Sequence, residues 1–314
     1  DKSQYSYDCI ETPTDLNRLT AVLSNFKDSH GNKPVFTANV VMANPDFMQI
    51  ADSGFHKYSY TAVKDETVLF DGRTLVDAWL KTAHQGVFFP QLHCREHVQW
   101  WPWLADLRAG ASDAADTFSL NMCGVPKAAS NSAVSYFEPV YVEDNYTRAN
   151  KEVIPNAISE GCEIFKDTFG YTSKTTVAPV VCWNEIAERT WYESGIETIQ
   201  GSWLQNTKID NKVSFTNRKL GEKNQFGQKY LVRNCNFEPR RGADADSCLR
   251  DIARAFQFNC PAIICTHRVN YVAGIDEYGA ADSLSQLDKL ISQILKKWPD
   301  VEFITSQTLS QRIK

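Results

Sequence analysis

Residues 86–97 read Gly86-Val87-Phe88-Phe89-Pro90-Gln91-Leu92-His93-Cys94-Arg95-Glu96-His97. The apolar part of this stretch predicts a strand over 87–92, because a short apolar run bounded by glycine and polar residues is typical of a strand. Two of the chain's six histidines, His93 and His97, follow directly. At this spacing, a helical turn or a tight bend directs both imidazoles to one side.

Two convergent imidazoles suit Zn²⁺ or a similar transition ion. Their position favours this interpretation, since the catalytic groups of β/α architectures gather where strands end. The alternative is a capped helix start that carries a surface histidine pair. Arg95 binds either a substrate carboxylate or a neighbouring acid. Glu96 is either a charge favoured by a helix dipole or a partner of a ligand histidine.

The composition bounds the class of protein. The 314 residues are 43% hydrophobic and 12% aromatic, enough for one large α/β domain or two smaller ones. The net charge is −5, and the sequence has no run of basic residues that could bind along a phosphate backbone. Nucleic-acid binding is therefore disfavoured. No apolar stretch approaches the length of a membrane span.

The nine cysteines are odd in number and contain no Cys-x-x-Cys pair. Cys182 and Cys265 lie in apolar runs, where cysteine behaves as a small hydrophobe. This pattern argues against a disulfide framework and favours a reducing compartment such as the cytoplasm. If a leader was removed ahead of Asp1, an envelope or secreted location is expected instead.

Periodicity predicts alternating helices and strands along the chain. The predicted helices cover 14–26, 73–83, 98–108, 150–169, 185–194, 246–258 and 284–297, with a short last one capped by Ser306. The predicted strands cover 4–7, 35–42, 87–92, 175–181, 196–200, 229–237, 261–266 and 301–305. A hairpin or loop is expected within 205–228. Residues 111–149 are expected to be an insertion with some helix and a loop at Phe137-Glu138-Pro139.

This alternation predicts an α/β fold with a parallel sheet of about seven or eight strands. No Gly-x-Gly-x-x-Gly or phosphate loop follows any predicted strand, so a nucleotide-binding sheet is disfavoured. We therefore expect a distorted (β/α)7–8 barrel of the glycoside hydrolase and deacetylase type. One domain over 1–314, with the insertion at 111–149, is the simplest organisation.

Three motifs then follow in a familiar order. Ser6-Tyr7-Asp8-Cys9 precedes the helix over 14–26 and a strand that begins Lys33-Pro34-Val35-Phe36. His93-Cys94-Arg95-Glu96-His97 has the spacing of a His-Ser/Thr-x-x-His motif, and Cys265-Thr266-His267 ends a strand. With these motifs the chain resembles a divergent polysaccharide deacetylase of the NodB-homology group (carbohydrate esterase family four). The resemblance spans about 4–310 outside the insertion.

The resemblance implies a metal-assisted hydrolase that removes acetyl groups from a poly- or oligosaccharide. Asp8 matches the general base, and His267 matches the residue that gives a proton to the leaving group. His93 and His97 match metal ligands, and Cys9 stands where the family has a metal-binding aspartate. A thiolate ligand, a metal moved to Asp8, and a site without metal are the alternatives; Zn²⁺ is the expected ion when one is bound.

Other motifs of the family are altered. Val177-Ala178-Pro179 stands where the family has Arg-x-Pro, so the arginine that steadies the base is expected to be missing. The fourth motif is at best Asn236-Phe237. The side chains assigned to substrate binding are Arg95, Trp183, Asn184, Glu185, Glu238 and Asn270.

Two functions of other classes remain open. Glu185 and Glu238 follow predicted strands and would suit a glycoside hydrolase on a related barrel, or they would cap helices and pair with arginines. A catalytically silent carbohydrate-binding relative would stack aromatic rings on sugars. The aromatic candidates are Trp100, Trp101, Trp183, Trp191, Trp203 and Tyr271.

Overall fold

The computed structural model describes residues 4–66, 72, 74–123, 136, 140–210 and 212–313. The predicted loop at Phe137-Glu138-Pro139 lies outside these ranges. The chain divides into two compact units. The first unit is Asp1–Ser3, Asn39–Glu66 and Gln91–Tyr230, and the second is Gln4–Ala38, Thr67–Pro90 and Leu231–Lys314. The predicted single domain stays a prediction.

The strands of the described residues confirm an α/β fold. They are β1 Phe36–Val41, β2 Ala43–Pro45, β3 Tyr60–Ala62, β4 Phe88–Cys94, β5 Thr175–Val177, β6 Thr198–Gly201, β7 Leu204–Ile209, β8 Lys212–Asn217, β9 Lys229–Val232, β10 Cys235–Asn236 and β11 Ile264–Cys265. A parallel sheet of five strands has the order β1-β4-β5-β6-β9. Antiparallel β2–β3 and β7–β8 and parallel β10–β11 form separate pairs.

The helices are α1 Pro13–Ser24, α2 Phe47–Asp52, α3 Leu75–His84, α4 Trp100–Arg108, α5 Ser112–Ser119, α6 Asn145–Ala149, α7 Val153–Phe169, α8 Glu185–Glu193, α9 Ala245–Gln257, α10 Glu277–Lys297 and α11 Ser306–Arg312. Local chemistry sets their starts. Thr12 and Asp15 form a capping box ahead of α1, with Pro13 in its first turn. Within the described ranges no helix has the length and apolar character to span a membrane.

Each unit has a core of its own. In the first, Ile50, Trp103 and Leu104 pack together from α2 and α4. In the second, α1, α9 and α10 pack around β10, with Leu23, Cys248 and Leu290 almost fully buried. The nine cysteines, all in described segments, are free thiols. Burial of these apolar faces is the main favourable term in folding.

Two strand predictions are wrong, a third is too long, and barrel closure is not seen in the described segments. Gln4–Tyr7 is a 3-10 helix, and the strand predicted over 175–181 ends at Val177. Residues 301–305 form no strand. The Phe303 amide donates to the carboxylate of Asp28 at 2.9 Å, which replaces a sheet hydrogen bond.

Candidate functional site

The sheet places His93 in the first unit. Leu92 of β4 lies opposite Thr176 of β5 in parallel register, so the next residue, His93, comes beside Val177. The His93 Nδ1 nitrogen lies 2.7 Å from the Val177 carbonyl oxygen. A carbonyl oxygen only accepts hydrogen bonds, so Nδ1 carries a proton, and in the neutral ring Nε2 carries the lone pair. This is the usual arrangement of a metal-binding histidine.

His97 completes an imidazole pair on the same connection. The two ring centroids lie 5.3 Å apart, with the ring planes at 73°. Two imidazoles on one tetrahedral Zn²⁺, with Zn–N bonds of about 2.0–2.1 Å, have centroids about 5 Å apart. Burial lowers the pKa of His97, which keeps the ring neutral at pH 7. The pair therefore fits two ligands of one transition ion.

Arg95 and Glu96, between these histidines, form a buried ion pair. The Arg95 guanidinium donates to Glu96 and to Glu160 of α7, and it lies 4.5 Å from the ring centroid of Tyr60. Burial raises the pKa of Glu96. Arg95 is only 7% exposed, and its guanidinium is occupied by these two acids. Of the two interpretations from the sequence, the structure therefore supports pairing with neighbouring acids rather than substrate binding. A Cβ on Gly161 would lie 3.0 Å from the Arg95 amide nitrogen, so any larger residue would force the two backbones apart by a few tenths of an ångström.

The predicted substrate residues after β5 have structural contacts. Trp183 is 1% exposed and donates its indole N–H to Glu188 at 2.9 Å, so we correct its assignment from sugar binding to the core. Asn184 caps α8 with its side-chain oxygen. Glu185 is 61% exposed in the first turn of α8 and pairs with Arg189 at 3.4 Å. These contacts are those of an ordinary helix start.

The turn after β5 is strained. Val180 and Val181 have φ of 47° and 56°, a region in which β-branched residues are rare. Each such residue costs roughly 1–2 kcal/mol. Strain of this kind concentrates at functional sites. The turn follows the Val177 carbonyl that holds His93.

Two short parallel strands of the second unit position another group of the predicted residues. Asn236 of β10 lies opposite Cys265 of β11, so Glu238 and His267 both follow strand ends. The His267 Nδ1 nitrogen lies 2.5 Å from Glu238 Oε1. The Glu238 side chain is 5% exposed, and that of His267 is 41% exposed. A buried carboxylate thus orients an imidazole that reaches solvent.

Asn270 holds this pair in place. It is fully buried, and its Nδ2 group donates to Glu238 Oε2 at 2.7 Å and to the His267 carbonyl at 3.0 Å. Both Glu238 oxygens are therefore hydrogen bonded. The substrate-binding assignments of Glu238 and Asn270 are replaced by a positioning role, because their polar atoms already serve His267.

Asp8 has an arginine partner that the motif comparison missed. Arg268 donates its Nε and Nη2 groups to the two Asp8 oxygens at 3.0 and 2.8 Å, and its Nη1 group to Glu11 at 3.0 Å. This fork holds the carboxylate in a fixed plane. Asp8 thus has an arginine partner from outside the segment that stands in the place of the Arg-x-Pro motif. The adjacent Cys9 is partly buried.

The predicted site residues thus fall into two groups. His93, His97 and Arg95 lie in the first unit, with Trp183, Asn184 and Glu185. Asp8, Cys9, Glu238, His267 and Asn270 lie in the second. Within the described ranges, one group of three possible metal ligands has all its ligand atoms within 4.8 Å of one another: Glu238, Cys265 and His267.

The comparison with solved structures finds a distant likeness. No family model matches the chain, and no curated protein matches it. A fold search matches the crystal structure of a "putative polysaccharide deacetylase from Mycobacterium smegmatis", with a TM-score of 0.44 and 11% sequence identity. The match covers 95% of this chain and 76% of that chain.

Proposed function

We propose that this protein is a metal-assisted hydrolase that removes acetyl groups from a poly- or oligosaccharide. The motifs around Asp8, His93 and His267 support the proposal through their resemblance to polysaccharide deacetylases. The observation that carries it is that His93 and His267 both turn Nδ1 to an oxygen, at 2.7 and 2.5 Å. Each ring is thereby set in the tautomer that offers Nε2 for chemistry.

His93 and His97 of the first unit are the residues that would hold a divalent transition ion. That Cys9 is a further ligand stays a prediction from the motif. When bound, such an ion polarises a water and an acetyl carbonyl. The Val177 carbonyl adds no net charge beside His93, and burial keeps His97 neutral. Neutral imidazole is the form that binds a metal, and nitrogen and sulfur donors favour Zn²⁺.

We assign the proton transfers to Asp8 and His267. Asp8, fixed by Arg268, accepts the proton of the attacking water. His267 gives its proton to the departing amine or alkoxide, so the products are acetate and a deacetylated sugar. Glu238 stabilises the positive charge that a protonated His267 carries.

The other two functions have less support. A glycoside hydrolase needs two carboxylates that flank the scissile bond. Glu185 instead pairs with Arg189, and both Glu238 oxygens are bound within the second unit. A silent carbohydrate-binding protein would bind acetylated glycans without release of acetate, so the same assay separates it from a deacetylase.

The test is acetate release from N-acetylated and O-acetylated oligosaccharides by protein loaded with one equivalent of Zn²⁺. We expect release from one of the two classes, and its loss in His93→Ala/His97→Ala and in His267→Gln. His84→Ala, at an exposed position, is the matched control and keeps the activity. Absence of release from both classes, or full activity in the two variants, overturns the proposal.

A further inference from the structure

We propose that Glu238, Cys265 and His267 form a second transition-metal site, which excess Zn²⁺ fills and thereby stops proton transfer by His267. The binding stands on the geometry of this cluster alone. The inhibition rests on the proposed function, in which His267 gives a proton to the leaving group.

The donor set fits zinc better than the hard cations. A thiolate, an imidazole and a carboxylate are the three ligand types of protein zinc sites, and sulfur disfavours Ca²⁺ and Mg²⁺. The three ligand atoms already lie within 4.8 Å of one another. Three protein ligands leave a fourth position for water, as in sites that exchange their ion.

The movements needed are small. A tetrahedral zinc site separates its nitrogen and oxygen ligands by about 3.3 Å and its sulfur from either of them by about 3.5 Å. His267 Nδ1 and Glu238 Oε1, now 2.5 Å apart, must open by less than about 1 Å. The Cys265 sulfur must approach by no more than about 1.3 Å, since it starts within 4.8 Å.

The surroundings prepare the cluster for an ion. Asn270 donates to Glu238 Oε2 at 2.7 Å and fixes the carboxylate from behind, as the outer partners of metal ligands do. His267 is 41% exposed, which gives an ion a path from solvent. Cys265 is partly buried at the end of β11 and takes no part in the proposed reaction.

The consequence for activity follows from proton balance. Zn²⁺ would displace the thiol proton of Cys265 and the proton that His267 Nδ1 shares with Glu238, and both protons leave to solvent. His267 bound through Nδ1 would keep the proton on Nε2 but would no longer be an imidazolium, so it would be a far weaker acid toward the leaving group. The site therefore makes the enzyme sensitive to zinc above the one equivalent that it requires.

The binding test uses Co²⁺ in place of Zn²⁺ on the His93→Ala/His97→Ala protein, under reducing conditions. We expect a thiolate-to-cobalt charge-transfer band that saturates at one equivalent and is lost on adding Cys265→Ser. Cys9→Ser in the same background is the matched control and keeps the band. A band that survives Cys265→Ser, or no band in a protein with wild-type circular dichroism, overturns the site.

The activity test adds excess Zn²⁺ to the otherwise wild-type enzyme and to Cys265→Ser. We expect equal basal acetate release, with inhibition by excess zinc at least 10-fold weaker in Cys265→Ser. Equal inhibition of both overturns the regulatory role. If the cobalt band behaves as expected but the wild-type protein releases no acetate, the second metal site is supported and the proposed function fails.

Discussion

His93 in the first unit and His267 in the second both turn Nδ1 toward an oxygen, but the two oxygens differ in charge. His93 faces the neutral Val177 carbonyl, and His267 faces the carboxylate of Glu238. A neutral acceptor fixes the tautomer without adding a charge beside the ring, which suits a metal ligand. A carboxylate also stabilises the protonated ring, as a proton donor requires. The partner oxygen, rather than the histidine itself, separates the two roles.

The largest expected effect is loss of the imidazole pair. His93→Ala/His97→Ala should reduce acetate release by about 10³-fold or more, because the ion that activates water is lost with its ligands. Elemental analysis of the dialysed protein should show one equivalent of the ion fewer than in wild type. Retention of both metal and activity would contradict the metal-binding role of His93 and His97 in the first unit.

His267→Gln should lower kcat by about 10²–10⁴-fold, the usual contribution of a general acid. The tightly held ion should remain, since this account places it in the first unit. Kinetics and metal content measured on one preparation check both statements. A variant that keeps its kcat would contradict the role of His267.

Glu238→Gln sharpens the comparison, because it gives His267 a neutral oxygen partner like that of His93. We expect kcat to fall by roughly 10–100-fold, with the acidic and basic limbs of the pH profile moved relative to wild type. A merely structural role would lower activity without moving the profile. Glu185→Gln, at an exposed carboxylate, is the control and should match wild type in both.

The smallest effect is on stability in metal-free protein. Burial lowers the pKa of His97 in the folded state, whereas the unfolded chain has the ordinary value of about 6.5. Below pH 6.5 the unfolded state therefore binds more protons than the folded state. The stability that the neutral His97 ring contributes is fully present above pH 6.5 and is lost as the pH falls. The free energy of unfolding should thus fall more between pH 7 and 5 in wild type than in His97→Gln. Urea titrations at the two pH values measure this difference. An equal decrease in the free energy of unfolding in the two proteins would contradict it.

Sequence patterns predict much of the fold. The helices around 14–26, 98–108 and 246–258 are found within a few residues of their predicted bounds, since amphipathic periodicity and caps are local. The strand predicted over 301–305 fails for a non-local reason. Its amide partner, Asp28, lies far away in the chain, and no local pattern reveals that contact.

The candidate site is likewise predicted only in part from the sequence. The motifs single out His93, His97 and His267 because their spacing and their places at strand ends are visible in sequence. Their partners are not, since Val177 and Glu238 are brought to them only by strand register. Trp183 is assigned to sugar binding from the sequence but lies in the core. An aromatic residue after a strand has the same sequence pattern whether it is buried or exposed, so the sequence alone does not separate the two.

X-ray absorption at the zinc edge tests the central claim most directly. The protein is loaded with one equivalent of Zn²⁺, and the imidazole ligands of the ion are counted in wild type and in His267→Gln. The account predicts the same two imidazoles in both proteins, and their loss in His93→Ala/His97→Ala. Loss of an imidazole in His267→Gln, with no change in the double variant, would show that the carboxylate-held histidine binds the ion and would contradict the account.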